Sequence, residues 1–264
     1  MKNVIFIPIV IPQEKKLDKF GGWEWMDYSK KSWEYWCNKN NCELVIYDTP
    51  SIKNTDKFRV TVQRFMDVFD FLESKNIKYN QVAMVDACMI PHWDCPNFFN
   101  LTDNKLTVSI DNDNLGWVYE SVKGYQHMFD NFNLDIKKYF CSGFVILNKS
   151  HKQLLQQFKT KYLENSETFY KLQTETVKKS TCQTPLNYIV QMNKVDTTIL
   201  PTQYRVSHLY RKELAMPFTY SKNSNSNLPL FIENCHLWQF SGFDKTTRNN
   251  LMFEVWNLIK EKYK

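Results

Sequence analysis

The chain has 264 residues, 43% of them hydrophobic, which is enough to bury a sizeable core and excludes a disordered polymer. Its six glycines, Gly21, Gly22, Gly116, Gly124, Gly143 and Gly242, form no G-x-G-x-x-G, G-x-x-x-x-G-K-[ST] or G-x-S-x-G motif. Dinucleotide-binding Rossmann domains, P-loop NTPases and α/β-hydrolases are therefore disfavoured. The net charge of +6, from 34 Lys and Arg against 28 Asp and Glu, leans towards anionic partners such as nucleotide diphosphates, nucleic acid or acidic lipid, without a basic run that would mark a nucleic-acid tail.

In chain order, Val4 to Ile9 reads as a buried first strand, since the longest apolar stretch, Val4 to Pro12, is too short to span a bilayer and no cleavage site follows it. Met26 to Asn38 has helical spacing, Glu43 to Tyr47 is a second strand, and Phe58 to Glu73 is a helix that gathers Phe58, Val62, Phe65, Met66, Phe69 and Leu72 on one face. Gln81 to Val85 is a third strand that ends at Asp86, and Leu106 to Ile110 a fourth that ends at Asp111. Asp111 and Asp113 double as candidate caps for a helix from Leu115 to Asp130. Further along come a strand at Phe144 to Leu147, helices at Lys152 to Leu163, Glu167 to Lys178 and Pro185 to Met192, a last strand at Cys235 to Phe240, and a C-terminal helix from Thr247 to Lys260. The polar stretch Ser221 to Asn227 is either an active-site lid or an ordinary surface loop. Strands alternating with helices predict an α/β chain with one mixed, Rossmann-like sheet flanked by helices, and no linker or repeat divides it.

In such sheets the ligand crevice lies at the carboxyl ends of the strands, so Asp86 and Asp111 point to one site. An acid there needs a cationic or hydrogen-bonding partner, and a divalent metal is the usual one. A D-x-D pair would offer two carboxylates to a divalent ion carrying a diphosphate. Asp86-Ala87-Cys88 lacks the second acid, whereas Asp111-Asn112-Asp113 has it, and either could hold the ion. Cys88, His92 and Cys95 have zinc-like spacing but no nearby fourth ligand. Seven cysteines, an odd number in a chain too long to need stapling, predict reduced thiols and a cytoplasmic setting. Trp23, Trp25, Trp33, Trp36 and Trp117 could stack on sugar rings, although most are expected in the core; Trp23 and Trp25 are the acceptor-side candidates.

The ordered series Val82-Ala83-Met84-Val85-Asp86-Ala87-Cys88-Met89-Ile90, Tyr139 to Lys149, Gln183-Thr184-Pro185-Leu186-Asn187-Tyr188, Leu200-Pro201 and Gln239-Phe240-Ser241-Gly242 resembles the motifs of glycosyltransferase family 8, which includes glycogenin and bacterial lipopolysaccharide galactosyltransferases. The resemblance implies one GT-A domain over residues 1–264, with about 1–110 binding the donor and about 111–264 the acceptor. It also implies a nucleotide-sugar donor, usually a UDP-sugar, and a manganese or magnesium ion on the diphosphate. By that resemblance Asp86 is the first acid of the D-x-D, Arg64 reaches the donor, and Lys245 after Gly242 binds the diphosphate. Gln183 and Asn187 face the transferred sugar, and Ser142-Gly143 form a small turn beneath it.

The sequence also departs from the family's pattern. Cys88 stands in place of the second acid, Cys141 of an Asn, Cys182 of an Asp, and Gln239 of the metal-binding His. His236 lies three residues before Gln239 on the same strand and could substitute for it only through a bulge. Convergence of Cys88, Cys141 and Cys182 on one pocket would give a site for a softer metal or for none. The expected function is transfer of a hexose from a nucleotide-diphosphate sugar to a glycan, protein or small-molecule acceptor, or less favourably a nucleic acid. The alternative is a catalytically silent GT-A domain that binds nucleotide sugar or glycan.

Overall fold

A computed structural model describes residues 1–10, 23–111, 114–204 and 223–264. Its centre is a six-stranded sheet in the order β2 (Glu43–Tyr47), β1 (Lys2–Pro8), β3 (Tyr79–Val85), β6 (Phe140–Asn148), β5 (Leu106–Ile110) and β7 (Thr197–Ile199). β6 runs antiparallel to both its neighbours, and the other strands are parallel to one another. Because side chains alternate along a strand, β1 sends Val4 and Phe6 into one core and Ile5 and Ile7 into the other. Both faces are covered, which is why these strands read as continuous apolar runs rather than as alternating ones.

Helices α2 (Val60–Ser74), α4 (Lys152–Glu164) and α6 (Gln183–Met192) close the first face, where Phe65 packs edge-on against Phe158. Helices α1 (Glu24–Lys39) and α8 (Lys245–Ile259) close the second. There a small sheet pairs β4 (Met89–Pro91) with β8 (Leu237–Gln239). α1 holds it in place: Ser29 Oγ and Trp33 Nε1 both donate to the Met89 carbonyl, at 2.6 and 3.2 Å, and Trp36 Nε1 donates to the Cys95 carbonyl at 3.0 Å. Buried indole N–H groups need such partners. The register Met89↔Gln239 then delivers Gln239 to the ends of the large sheet.

Several expected elements differ in extent. The helix expected over Glu167 to Lys178 is α5 (Ser166–Lys171) followed by a π-helical turn, Leu172–Thr176, and it stops before Lys178 and Ser180, whose φ of 57° and 56° are left-handed. α3 (Leu115–Tyr125) tightens into a 3-10 turn, Gln126–Phe129, closed by Asp130 at φ 51°. Its cap is Asn114, whose side chain accepts from the Trp117 N–H, so Asp111 does not cap it. The last strand begins only at Leu237, because Cys235 caps α7 (Leu230–Asn234) with its N–H on the Phe231 carbonyl and the His236 N–H donates to the Gln203 carbonyl. Ser142 and Gly143 lie inside β6 rather than in a turn.

Candidate functional site

The site arises from the one antiparallel strand. β6 enters the sheet at the edge where β3 and β5 end, so its first residues lie between Asp86 and Asp111. On the β3 side the register is unbroken through Val85↔Phe144 and continues in the bond from Asp86 N–H to the Gly143 carbonyl at 2.9 Å. On the β5 side it jumps between Val108↔Val145 and Ile110↔Phe140, an irregularity that sets Cys141, Ser142 and Gly143 outside the regular register. A cavity of about 560 Å³ opens there, a size typical of ligand pockets. Its lining includes Arg59, Arg64, Asp86, Asp111, Trp117 and Lys179 from the surrounding elements.

On one side of the cavity, Arg64 Nη1 meets Asp86 Oδ1 at 2.7 Å, with side-chain exposures of 1% and 17%. The same guanidinium donates to the Val85 and Ser142 carbonyls at 3.2 and 2.8 Å, which fixes its plane. Burial alone would favour neutral Arg64, but the Asp86 carboxylate, together with the nearby Cys182 and Cys141, holds the guanidinium charged. The other Asp86 oxygen, Oδ2, accepts from Gln239 Nε2 at 2.7 Å, and Gln239 Oε1 accepts from Cys141 Sγ at 3.5 Å. Gly143 lies directly beneath, and a Cβ at that position would come within 2.1 Å of Gln239 Nε2 and 2.5 Å of Asp86 Oδ2. At the rim Gly242 has φ 81°, left-handed backbone that admits glycine without strain.

On the opposite side Gln183, the first residue of α6, bridges two elements. Its Oε1 accepts from the Ser142 N–H at 3.1 Å, and its Nε2 donates to Asp111 Oδ2 at 2.6 Å. It thereby caps a backbone group outside the regular register and holds the buried Asp111 carboxylate. Beside it Ser142 Oγ and Cys182 Sγ are 3.3 Å apart, and burial pushes the Cys182 thiol up.

Asp86, Asp111, Arg64, Ser142, Gly143, Gln183, Gln239 and Gly242 thus line one cavity. Four expected residues do not. Asn187 is fully buried, with its amide accepting from the Phe140 N–H and donating to the Phe140 carbonyl, both at 2.9 Å, so it serves β6 as a ladder partner and does not face a sugar. Cys88 packs in the second core, where burial pushes its thiol up to about 12. Of the three cysteines expected to converge, only Cys141 and Cys182 line the cavity. His236 lies beyond the far end of β8, its ring 5.0 Å from Tyr204 and its carbonyl accepting from His92. Lys245 is exposed at the start of α8 and outside the cavity wall.

Asp113 lies outside the described residues, as do Ser221 and Lys222 of the polar stretch. Asn223 to Asn227 form a turn tied to Glu233 through Asn223 and Ser226, away from the cavity lining. Trp25 is buried beneath the Arg248 guanidinium, 4.1 Å above its ring, and Trp23 packs on the second core, so Trp117 is the tryptophan in the cavity wall. Arg59 and Lys179, the latter paired with Glu120, are further wall cations. Arg59 is legible only as a residue of the helix expected over Phe58 to Glu73, and Lys179 only as part of a basic pair.

The candidate ligands among the described residues do not fit a divalent-cation site. Both Asp86 oxygens already accept N–H donors, Cys88 and His236 are elsewhere, and among the described residues no three His, Cys, Asp or Glu side chains gather. Also among the described residues, no helix is long and apolar enough to cross a membrane.

No protein-family profile matches the sequence, and no curated protein matches it. Among solved structures, a glycosyltransferase involved in the glycosylation of the major capsid of PBCV-1 is similar over 96% of this chain and 100% of its own, at 8% identity and a TM-score of 0.54. The glycosyltransferase GlyE of Streptococcus pneumoniae TIGR4 aligns with 99% of this chain and 62% of its own, at 11% identity and a TM-score of 0.41. The bifunctional glycosyltransferase WbbM aligns with 99% and 51%, at 11% identity and a TM-score of 0.45. This chain therefore spans less than two thirds of GlyE and of WbbM, and the first likeness is the one that shows a shared fold.

Proposed function

We propose that this protein is a GT-A-type glycosyltransferase that moves a hexose from a nucleotide-diphosphate sugar, with UDP favoured, to a glycan, protein or small-molecule acceptor. The observation that carries this reading is the cavity at the carboxyl ends of β3 and β5, where the Arg64–Asp86 pair and the Gln183–Asp111 pair face each other across the start of β6. Its place in the sheet is where α/β folds bind ligands, and the fold is shared with a glycosyltransferase.

Departure of a nucleoside diphosphate builds negative charge, and Arg59 in the wall supplies a cation to meet it, whereas Arg64 and Lys179 are already balanced by Asp86 and Glu120. Gln183 holds Asp111 and the Ser142 N–H in place at the side opposite Arg64, where the transferred sugar would lie. Trp117 offers an apolar face for a ring. Of the wall, Arg59, Thr61, Arg64 and Asp86 come from residues 1–110, the half expected to bind the donor, and the rest from residues 111–264. Seven cysteines, none of them in a disulfide, support a cytoplasmic setting.

The test is a thermal-shift and hydrolysis screen of UDP-, GDP-, CDP- and ADP-sugars. The reading expects one donor to raise Tm and to be hydrolysed slowly, with both effects lost in Asp86→Ala. Binding without turnover towards any acceptor class would instead make the chain a sugar-nucleotide-binding module. Stabilisation by none of these donors would refute the reading.

A further inference from the structure

Among the described residues the side chains that would hold an ion at Asp86 are committed elsewhere, and Arg59 already places positive charge in the wall. Asp86 Oδ1 accepts from Arg64 Nη1 and Oδ2 from Gln239 Nε2, each at 2.7 Å. The guanidinium cannot swing away without abandoning the Val85 and Ser142 carbonyls that its two terminal nitrogens hold. Gln239 is equally constrained, by Cys141 on one side, by the Met89 register behind it and by Gly143 below. A divalent cation at Asp86 would have to displace two such donors and sit beside a buried positive charge. Arg59 stands at the N-terminus of α2, exposed on the same cavity wall and in no ion pair among the described residues.

We propose that this cavity binds the diphosphate of its donor without a divalent cation, Arg64 providing the fixed charge beside Asp86 and Arg59 the charge that closes on the phosphates. This rests on the nucleotide-sugar reading above. Asp86 then orients the arginine instead of coordinating a metal. At Arg59 the diphosphate meets a planar, directional donor, which suits two phosphate oxygens at once. An arginine in the wall also removes the dependence on free metal concentration that an ion-bridged site carries.

The test is calorimetric titration of the wild-type protein with UDP, GDP, CDP, ADP and their hexose conjugates, in excess EDTA and again in millimolar Mn²⁺ or Mg²⁺. The proposal expects Kd for the preferred nucleotide to agree within about twofold between the two buffers. It also expects Arg59→Gln, an exposed change that leaves the core intact, to weaken binding about tenfold or more in EDTA, as loss of a charge-assisted phosphate contact does. In parallel, the Mn²⁺ EPR signal with nucleotide and protein should match that with nucleotide alone. Binding at least tenfold tighter with Mn²⁺, or a new protein-bound Mn²⁺ spectrum, would overturn the cation-free site and leave the transferase reading standing. Binding of none of these nucleotides in either buffer would bring down the transferase reading, and this inference with it.

Discussion

Gln239 and Asp86 are joined by a 2.7 Å hydrogen bond laid across the Cα of Gly143, so three separate segments meet with no room for a methyl group. Gly143→Ala would push its Cβ to within 2.9 Å of Gln239 Cδ as well as against both polar atoms. Overpacking of this kind costs about 1 to 3 kcal/mol. The expected outcome is a folded variant of lower Tm whose donor binding is lost or weakened by about an order of magnitude, because the Asp86 to Gln239 bond must open. Donor titration and a melting curve check both parts, and wild-type binding by Gly143→Ala would show that the bond is dispensable.

The Arg64–Asp86 pair supports a double-mutant test. Arg64→Met strands a mostly buried carboxylate, for which about 3 to 5 kcal/mol of destabilisation is expected. Combining it with Asp86→Leu removes the stranded charge and should recover most of that stability without restoring donor binding. Urea midpoints of the four proteins give the coupling. A single variant as stable as wild type would mean that water reaches Asp86 and replaces the arginine.

How much of this was legible in the sequence follows from the range of each interaction. β2 and β5 lie where apolar runs predict them, and the acids after β3 and β5 reach one cavity because strand ends in an α/β sheet share an edge. β4 and β7 were missed because three-residue strands carry no period of their own; β4 exists through its pairing with β8 and the Trp33 and Ser29 bonds from α1. Asn187 was misread because a polar residue in an amphipathic helix looks the same whether it faces a ligand or completes a neighbouring strand. Cys88 lies two residues from Asp86 yet enters the other core, because the chain turns into β4 at that point. Trp117 and Lys179 join the wall through tertiary placement that local pattern does not encode.

Thiol chemistry should follow burial. All seven cysteines are buried and none is in a disulfide. Burial pushes Cys42 up to about 11 and Cys88 to about 12, leaving almost no thiolate at neutral pH. Reaction with a disulfide reagent should therefore be slow in the native protein and reach seven equivalents in guanidinium chloride. Nucleotide should slow it further at Cys141 and Cys182, which mass spectrometry of the labelled peptides can locate. Rapid native labelling of Cys88 would place it outside the core.

Acid should destabilise the fold through two histidines that are built in neutral. His92 Nδ1 accepts from the Asp94 N–H at 2.9 Å, and His151 Nδ1 accepts from the Asn148 N–H at 3.1 Å, so protonating either ring nitrogen breaks a bond. Burial holds His92 down to about 4, with nearby Asp94 opposing it and His236 and Lys39 reinforcing it, and burial lowers His151 as well. A histidine whose folded value lies below its unfolded value of about 6.5 binds protons more readily when unfolded, so each contributes stability above pH 6.5 that is lost as pH falls towards the folded value. Tm should therefore decline between about pH 6.5 and 4, and His92→Asn, which keeps an acceptor for the Asp94 N–H, should flatten that decline. If His92→Asn leaves the slope of Tm against pH unchanged, His92 is already free to take up its proton in the folded protein.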